Sequence, residues 1–387
     1  MAVPGAGWGR MVLHAGVGQG GFRPAGQQLF TFLPFAFLPF VFLTVFLPDM
    51  KYSIIVPVFN RPDEVDELLE SLTCQSVKDF EVVIVEDGSK IPCREVCDKY
   101  AGRLDLHYYY KENSGPGQSR NYGAERAQGD YLLILDSDVV LPGGYLRAVS
   151  DELEREPADA FGGPDSAHNS FTDTQKAISY SMTSFFTTGG IRGGKKKLDK
   201  FYPRSFNMGI RRDVYQELGG FSRMRFGEDI DFSIRIFKSG KRCRLFPEAW
   251  VWHKRRTDFR KFWRQVYNSG IARINLYKKY PESLKLVHLL PMVFTVGVAL
   301  MLLLSVLGFL FGSLRAGIVP LVLLFVYYCL NVCYSLCYFH NPKANLLSGV
   351  AAYVQLTGYG CGFIEAWWKR CVMGKSEFAA YEKNFYK

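Results

Sequence analysis

The sequence predicts an α/β domain built on a parallel sheet, followed by C-terminal transmembrane helices. Three observations carry that expectation. From Lys51 onward, short β-branched apolar runs alternate with stretches whose apolar residues recur at helical spacing. Residues 286–313 and 317–339 contain no Asp, Glu, Lys or Arg, and each run exceeds the roughly 20 residues that span a bilayer as a helix. Just before them, residues 241–285 hold 13 basic and three acidic residues, an excess that equals the +10 of the whole 387-residue chain. At 48% hydrophobic residues the chain is not disordered, and the apolar runs exclude a purely soluble globule.

Residues 1–49 stand apart. Residues 1–28 are rich in Gly and Pro without periodicity; residues 29–47 are uncharged and dense in Phe, but Pro34 and Pro39 interrupt them. Met50 then opens Met-Lys-Tyr-Ser-Ile-Ile-Val-Pro, a natural beginning for a first buried strand. Residues 1–49 therefore read as a leader ahead of the true translation start, with an N-terminal anchor as the rival.

Residues 53–59 and 81–86 have the continuous apolarity of strands buried on both faces. Between them Val65, Leu68, Leu69 and Leu72 follow Pro62 and Asp63, residues that favour a helix start. Residues 104–110 form a third strand, residues 119–127 a helix and residues 131–135 a fourth strand. Strand–helix alternation at this spacing implies right-handed crossovers and a parallel sheet, with ligands at the carboxyl ends of its strands. Residues 160–225 are looser, and residues 189–197 read as a mobile basic loop. A third apolar run, 346–364, carries Gln355 and several glycines; it spans the membrane or packs as an interfacial segment. The nine scattered cysteines read as free thiols in a reducing compartment.

Polar clusters interrupt the apolar pattern where strands end. Asp136 and Asp138, in Asp-Ser-Asp after the strand Tyr-Leu-Leu-Ile-Leu, can turn towards one hard cation. Such oxygen ligands suit Mg²⁺ or Mn²⁺, which would offset the charge building on a diphosphate leaving group. His253 is a candidate third ligand. Asp87, in Glu-Asp-Gly-Ser, can accept an N–H from a nucleobase. The glycine-rich residues 113–123 can admit a nucleotide closely, with Arg120 facing it. Glu228 and Asp229 open a predicted helix and offer a general base for a sugar hydroxyl.

Five stretches taken in order, Ser-Ile-Ile-Val-Pro-Val-Phe-Asn, Val-Ile-Val-Glu-Asp-Gly-Ser, Gly-Pro-Gly-Gln-Ser-Arg-Asn-Tyr-Gly, Leu-Asp-Ser-Asp and Gly-Glu-Asp-Ile-Asp-Phe-Ser-Ile-Arg, resemble the family 2 inverting glycosyltransferases of the GT-A (Rossmann-like, nucleotide-diphospho-sugar) fold. The resemblance runs from about Lys51 to His253. It implies a nucleotide-diphosphate sugar donor, with Pro57, Phe59 and Asn60 lining the nucleotide pocket and Asp87 and Arg120 reading the base and its surroundings. It also implies that Asp136, Ser137 and Asp138 hold the metal diphosphate, Asp138 as direct ligand. Asp229 would be the base, with Glu228 as the alternative, and in-line attack would invert the anomeric configuration.

The Gln-x-x-Arg-Trp stretch of processive synthases is not reproduced by Arg264 and Gln265 in Phe-Trp-Arg-Gln-Val, which argues against a processive enzyme. The membrane tail looks more like bacterial exopolysaccharide enzymes that add one sugar to a lipid-linked saccharide. A polyprenyl-phosphate sugar synthase and a non-catalytic membrane scaffold are the alternatives.

The expected organisation is a catalytic domain at 50–255, a basic amphipathic membrane-surface segment at 256–285, two or three transmembrane helices within 286–367 and a basic tail at 368–387. The basic belt abuts apolar runs, so anionic membrane lipids rather than nucleic acid are its expected partner. Such a chain belongs in the inner membrane, multi-pass, with its catalytic domain facing the cytoplasm. A basic tail on that same side fits an even number of spans, and three would place it opposite.

Overall fold

A computed structural model of the chain describes residues 51–166, 171–188, 202–224 and 226–380. The leader or anchor expected at 1–49, the basic loop expected at 189–197 and the end of the basic tail, 381–387, lie outside the described residues.

Strands β1 (Tyr52–Val58), β2 (Phe80–Asp87), β3 (Asp105–Lys111) and β4 (Tyr131–Leu135) alternate with helices α1 (Pro62–Thr73), α2 (Arg94–Tyr100) and α3 (Pro116–Ala124). The strands pair in parallel in the order β3-β2-β1-β4. Pro62 at the amino end and the acids Asp63 and Glu64 in the first turn start α1, which buries Val65, Leu68, Leu69 and Leu72. Because side chains alternate along a strand, β1 serves two cores. Ile54, Val56 and Val58 meet α1 and α2 on one face. Ile55 joins Val83, Val85 and Ile134 on the other.

Beyond β4 come β5 (Val139–Val140), α4 (Tyr145–Arg155), β6 (Ala160–Gly162), β7 (Asp165–Ser166), α5 (Asp173–Thr183), α6 (Phe185–Thr188), β8 (Asn207–Arg211) and α7 (Arg212–Glu217). Then follow α8 (Glu228–Lys238), β9 (Cys243–Leu245) and β10 (Val251–His253). Strands β8, β6 and β9 extend the sheet to seven, and β8 runs antiparallel to both of its neighbours. The sheet is therefore mixed rather than wholly parallel. These added strands are only three to five residues long, too short for periodicity to reveal. A second, three-stranded sheet has the order β5-β10-β7.

Helix α9 (Phe259–Lys279) leads from this domain to α10 (Leu290–Leu310) and α11 (Leu314–Ser335), and α12 (Pro342–Trp367) follows. Two segments among the described residues, Leu286–Leu310 and Leu314–Ser335, are long and apolar enough to cross a membrane, with mean hydropathies of 2.6 and 2.1 and little burial within the chain. The third apolar run forms α12, which packs along α9 and α5 as well as against α10 and α11. Its backbone meets α9 closely: a Cβ on Gly362 would lie 2.0 Å from the Tyr267 carbonyl oxygen, and one on Gly270 would lie 2.2 Å from that of Tyr359.

Candidate active site

The polar clusters gather where the parallel strands end, the position at which open α/β sheets bind ligands. Pro57 is the penultimate residue of β1, and Phe59, 49% exposed, follows the strand. Asn60 adopts a left-handed backbone, φ 56°, and its Oδ1 accepts from the Lys90 and Ile91 amides at 2.8 and 3.1 Å. Asn60 thereby ties the end of β1 to the loop after β2. Asp87 is buried at the end of β2. Its carboxylate accepts from the amides of Ser114 and Gly115 at 2.9 and 2.8 Å and from Lys111 Nζ at 2.7 Å. These bonds hold the glycine-rich loop that starts α3.

Asp136, Ser137 and Asp138 follow β4, Ser137 and Asp138 buried and Asp136 partly open. The small sheet brings His253 to them. Strand β10 pairs antiparallel with β5, His253 opposite Val139, and the Lys254 amide donates to the Asp138 carbonyl at 2.9 Å. His253 Nε2 thus lies 3.2 Å from Asp138 Oδ1, and Phe206 stacks on the imidazole at 4.8 Å. Ligand atoms of Asp136, Asp138 and His253 all fall within 4.8 Å of one another. Asp138 Oδ1 is buried without a hydrogen bond. Two carboxylates and an imidazole, with Asp138 Oδ1 buried and faced by His253 alone, fit a divalent cation of the Mg²⁺ or Mn²⁺ type.

Cations crowd this centre. Arg61 Nη1 donates to Asp138 Oδ2 at 2.8 Å, and Arg256 Nη1 lies 3.6 Å from the same oxygen. Burial alone would raise the Asp138 carboxyl, but His253, Arg61 and Arg256 outweigh it and hold it well below the usual range. Burial likewise opposes charge on His253, yet Asp138 and Asp165 push it up to about 9. Asp165 lies 3.7 Å from His253 Nδ1 and pairs with Arg255. Burial would raise its carboxyl too, but His253 and Arg255 keep it low.

Arg120, buried on α3, links the centre to α8. Its Nη2 donates to Asp136 Oδ1 at 2.7 Å and its Nη1 to Glu228 Oε1 at 3.3 Å. Gly227 is left-handed, φ 89°, a turn that glycine takes without a Cβ penalty. It aims Glu228 and Asp229 from the amino end of α8 into a cleft of about 540 Å³ that also exposes Arg61, Arg204 and Arg256. The two acids are shifted in opposite directions. Burial, then the charge of Asp229, push Glu228 up to about 7 against Arg120. Burial also opposes charge on Asp229, but Arg204, donating at 3.0 Å, holds that carboxyl below its ordinary value.

Residues 53–219 match the family described as Glycosyl transferase family 2. The chain carries a family 2 glycosyltransferase domain. Relatives of this glycosyltransferase domain include an uncharacterized glycosyltransferase of Rickettsia felis, 39% identical over 92 residues, which covers 24% of this chain and 15% of the relative. The uncharacterized glycosyltransferase EpsJ of Bacillus subtilis is 24% identical over 204 residues, 51% of this chain and 59% of EpsJ. The chain thus spans less than two thirds of the length of these relatives. The solved structure of the mannosyltransferase PcManGT from Pyrobaculum calidifontis, in complex with GDP-Man and Mn²⁺, superposes with a TM-score of 0.52 at 16% identity, covering 83% of this chain and 88% of that one. This likeness shows that the glycosyltransferase domain has the GT-A fold.

Sequence reading passed over Asp165, Arg204, Arg255, Arg256 and Phe206. Arg255 and Arg256 had a signal, adjacency to His253. Arg204 and Phe206 lie beside a short strand, and Asp165 within one, in the loose 160–225 region, and they had none.

Proposed function

We propose that the chain is a membrane-attached inverting glycosyltransferase that moves a sugar from a nucleotide-diphosphate donor to a hydroxyl of a lipid-linked saccharide in cell-surface polysaccharide assembly. The observation that carries the reading is the meeting of Asp136, Asp138 and His253 with Asp229 around one set of arginines. Pro57, Phe59, Asn60 and Asp87 border the place for the nucleotide, and Arg120 fixes Asp136 beside it. Asp136, Asp138 and His253 would hold Mg²⁺ or Mn²⁺, with Ser137 at the donor phosphates. The cation supplies Lewis-acid neutralisation of the leaving diphosphate. Arg61 and Arg256 add fixed positive charge on the same side. Asp229 accepts the proton of the attacking hydroxyl: its Arg204 partner keeps it ionised at neutral pH, whereas Glu228 is half protonated there.

The α10–α11 hairpin attaches this site to a bilayer. Trp263, Trp367 and Trp368 are exposed near its base, and such residues favour the membrane interface. Lys278, Lys279 and Lys285 precede the hairpin and Lys369 and Arg370 follow α12, whereas the tip carries only Arg315. That asymmetry supports a cytoplasmic catalytic domain at the inner membrane.

The test is incubation of the full chain in detergent with a panel of nucleotide sugars, with and without Mn²⁺ or Mg²⁺. Release of nucleoside diphosphate from one donor, dependent on both metal and acceptor, is expected. No release from any donor would overturn the reading.

A further inference from the structure

At the amino ends of β2 and β3, roughly 20 Å along the sheet from Asp87, a second set of metal-ligating side chains meets. The two strands pair in parallel with Glu81 opposite Asp105, and β3 is the edge of the sheet. Side chains alternate along a strand, so Asp105 and His107 stand on one face, beside Glu81. His107 Nε2 lies 3.2 Å from Asp105 Oδ1 and 3.5 Å from Glu81 Oε2. Ligand atoms of all three residues fall within 4.8 Å of one another.

Glu81 supplies an independent sign of a ligand. Its side chain is 0% exposed. Its Oε1 accepts from Ser53 Oγ at 2.6 Å and from the amides of Gln128 and Gly129 at 2.5 and 3.3 Å, which fixes the carboxylate. Its Oε2 is buried with no hydrogen bond and is turned towards His107. A buried carboxylate oxygen left in that state is costly unless a cation meets it. A proton on His107 Nε2 points along one line and serves one oxygen, whereas a metal ion binds all three atoms at once. The spacing suits such an ion. Bonds of about 2.0–2.2 Å in a tetrahedron set neighbouring ligand atoms about 3.3–3.6 Å apart, close to the 3.2 and 3.5 Å found. Lys51 lies 3.8 Å from Asp105 Oδ2 and leaves Oδ1 to the ion. The side chains of His107 and Asp105 are 38% and 52% exposed, so water reaches the fourth position.

We propose that Glu81, Asp105 and His107 form a zinc site that clamps the edge strand β3 to β2. Two carboxylates, one imidazole and a water make a four-coordinate set that Zn²⁺ accepts. Mg²⁺ demands an octahedron and usually completes it with substrate phosphates, which bind at the other end of the strands in the proposed reaction. The zinc site is independent of that reaction, and none of its residues lines the cleft at Asp229.

The test is titration of the full, reduced chain in detergent with Zn²⁺, after stripping with EDTA and in excess Mg²⁺, against a chromophoric chelator. The wild type should bind zinc, and Asp138→Asn, which alters the other centre, should bind it equally well. His107→Val, which suits an edge strand and carries no ligand atom, and Asp105→Ala should each weaken binding by about tenfold or more. His107→Cys, which can still ligate zinc, should retain it. Zn²⁺ at about 100 times its Kd should raise the wild-type Tm by about 3 °C or more and leave that of His107→Val unmoved. Equal zinc affinity in the wild type and His107→Val would assign the ion to thiols or to the Asp138 centre and overturn the site. Loss of zinc from Asp138→Asn with His107 intact, or a wild type that takes up no zinc, would overturn it as well.

Discussion

Buried Asp138 meets Arg61 at 2.8 Å, His253 at 3.2 Å and Arg256 at 3.6 Å. Its negative charge is what lets three basic groups converge where a donor diphosphate would also sit. Asp138→Asn keeps the shape and removes that charge. Sugar transfer should fall by at least about 100-fold even in excess Mn²⁺, measured as nucleoside diphosphate release. Asp229→Asn should lower kcat by about 100- to 10,000-fold, the range of general-base loss, with a smaller change in donor KM. Retention of wild-type kcat by Asp229→Asn would move the base to Glu228. Glu228 has its own signature. Its ordinary pKa is 4.5 and its folded value about 7. Below pH 4.5 it is protonated in both folded and unfolded chains and costs nothing. As the pH rises towards 7 the unfolded chain releases the proton first, so folded stability declines across that window. Thermal unfolding from pH 4.5 to 8 should show this decline in the wild type and a shallower one in Glu228→Gln. At this scale the sequence was legible wherever an acid followed a long apolar strand, as with Asp87, Asp136 and Asp138. It was silent on Arg204 and Asp165, because nothing local distinguishes a residue whose partner arrives from a distant loop.

Between elements, the same reasoning explains why strands β1 to β4 could be read and β6, β8 and β9 could not. A run of β-branched, aromatic or Leu residues, as in most of β1, β2 and β4, prints a pattern on the sequence, whereas Ala-Phe-Gly, Cys-Arg-Leu or the mixed Asn-Met-Gly-Ile-Arg of β8 becomes a strand only because neighbours supply the ladder. Helix α12 shows the opposite ambiguity. An apolar, glycine-bearing run looks alike whether lipid covers it or another helix does. Gly358, Gly360 and Gly362 let α12 lie against α9 and α10 at distances no side chain would permit. Gly362→Val would drive a side chain into the Tyr267 carbonyl. It should cost at least about 1–3 kcal/mol, the usual penalty of overpacking, seen as a lower Tm in detergent. Gly297→Ala in α10, where an added Cβ meets nothing within 4 Å, should leave Tm unchanged or raise it. Equal behaviour of the two variants would mean that α12 does not dock on α9.

For the whole molecule the decisive question is on which side of the bilayer each end lies. Helices α10 and α11 form a hairpin, with Ser305 Oγ donating to the Gly317 carbonyl at 2.5 Å near its tip. At its base Tyr180 OH donates to the Asn331 carbonyl at 3.0 Å, tying α11 to α5 of the catalytic domain. The end of α12 and the segment after it are held to α9: Tyr267 hydrogen-bonds Glu365, and Arg370 Nε donates to Asn275 Oδ1 at 3.0 Å. If α10 and α11 both cross a membrane, residues 368–380 lie on the side from which α10 starts, so the basic tail shares the face of α9 without a third span. Single cysteines introduced into a cysteine-free background test this arrangement. In inside-out inner-membrane vesicles, a membrane-impermeant maleimide should modify Ser376→Cys at once. Ser313→Cys, at the hairpin tip, should react only after detergent is added. Labelling of both positions from the same side would mean that the hairpin lies on the membrane rather than through it. The reverse pattern would place the catalytic domain outside the cytoplasm, away from the nucleotide sugars on which the proposed reaction depends.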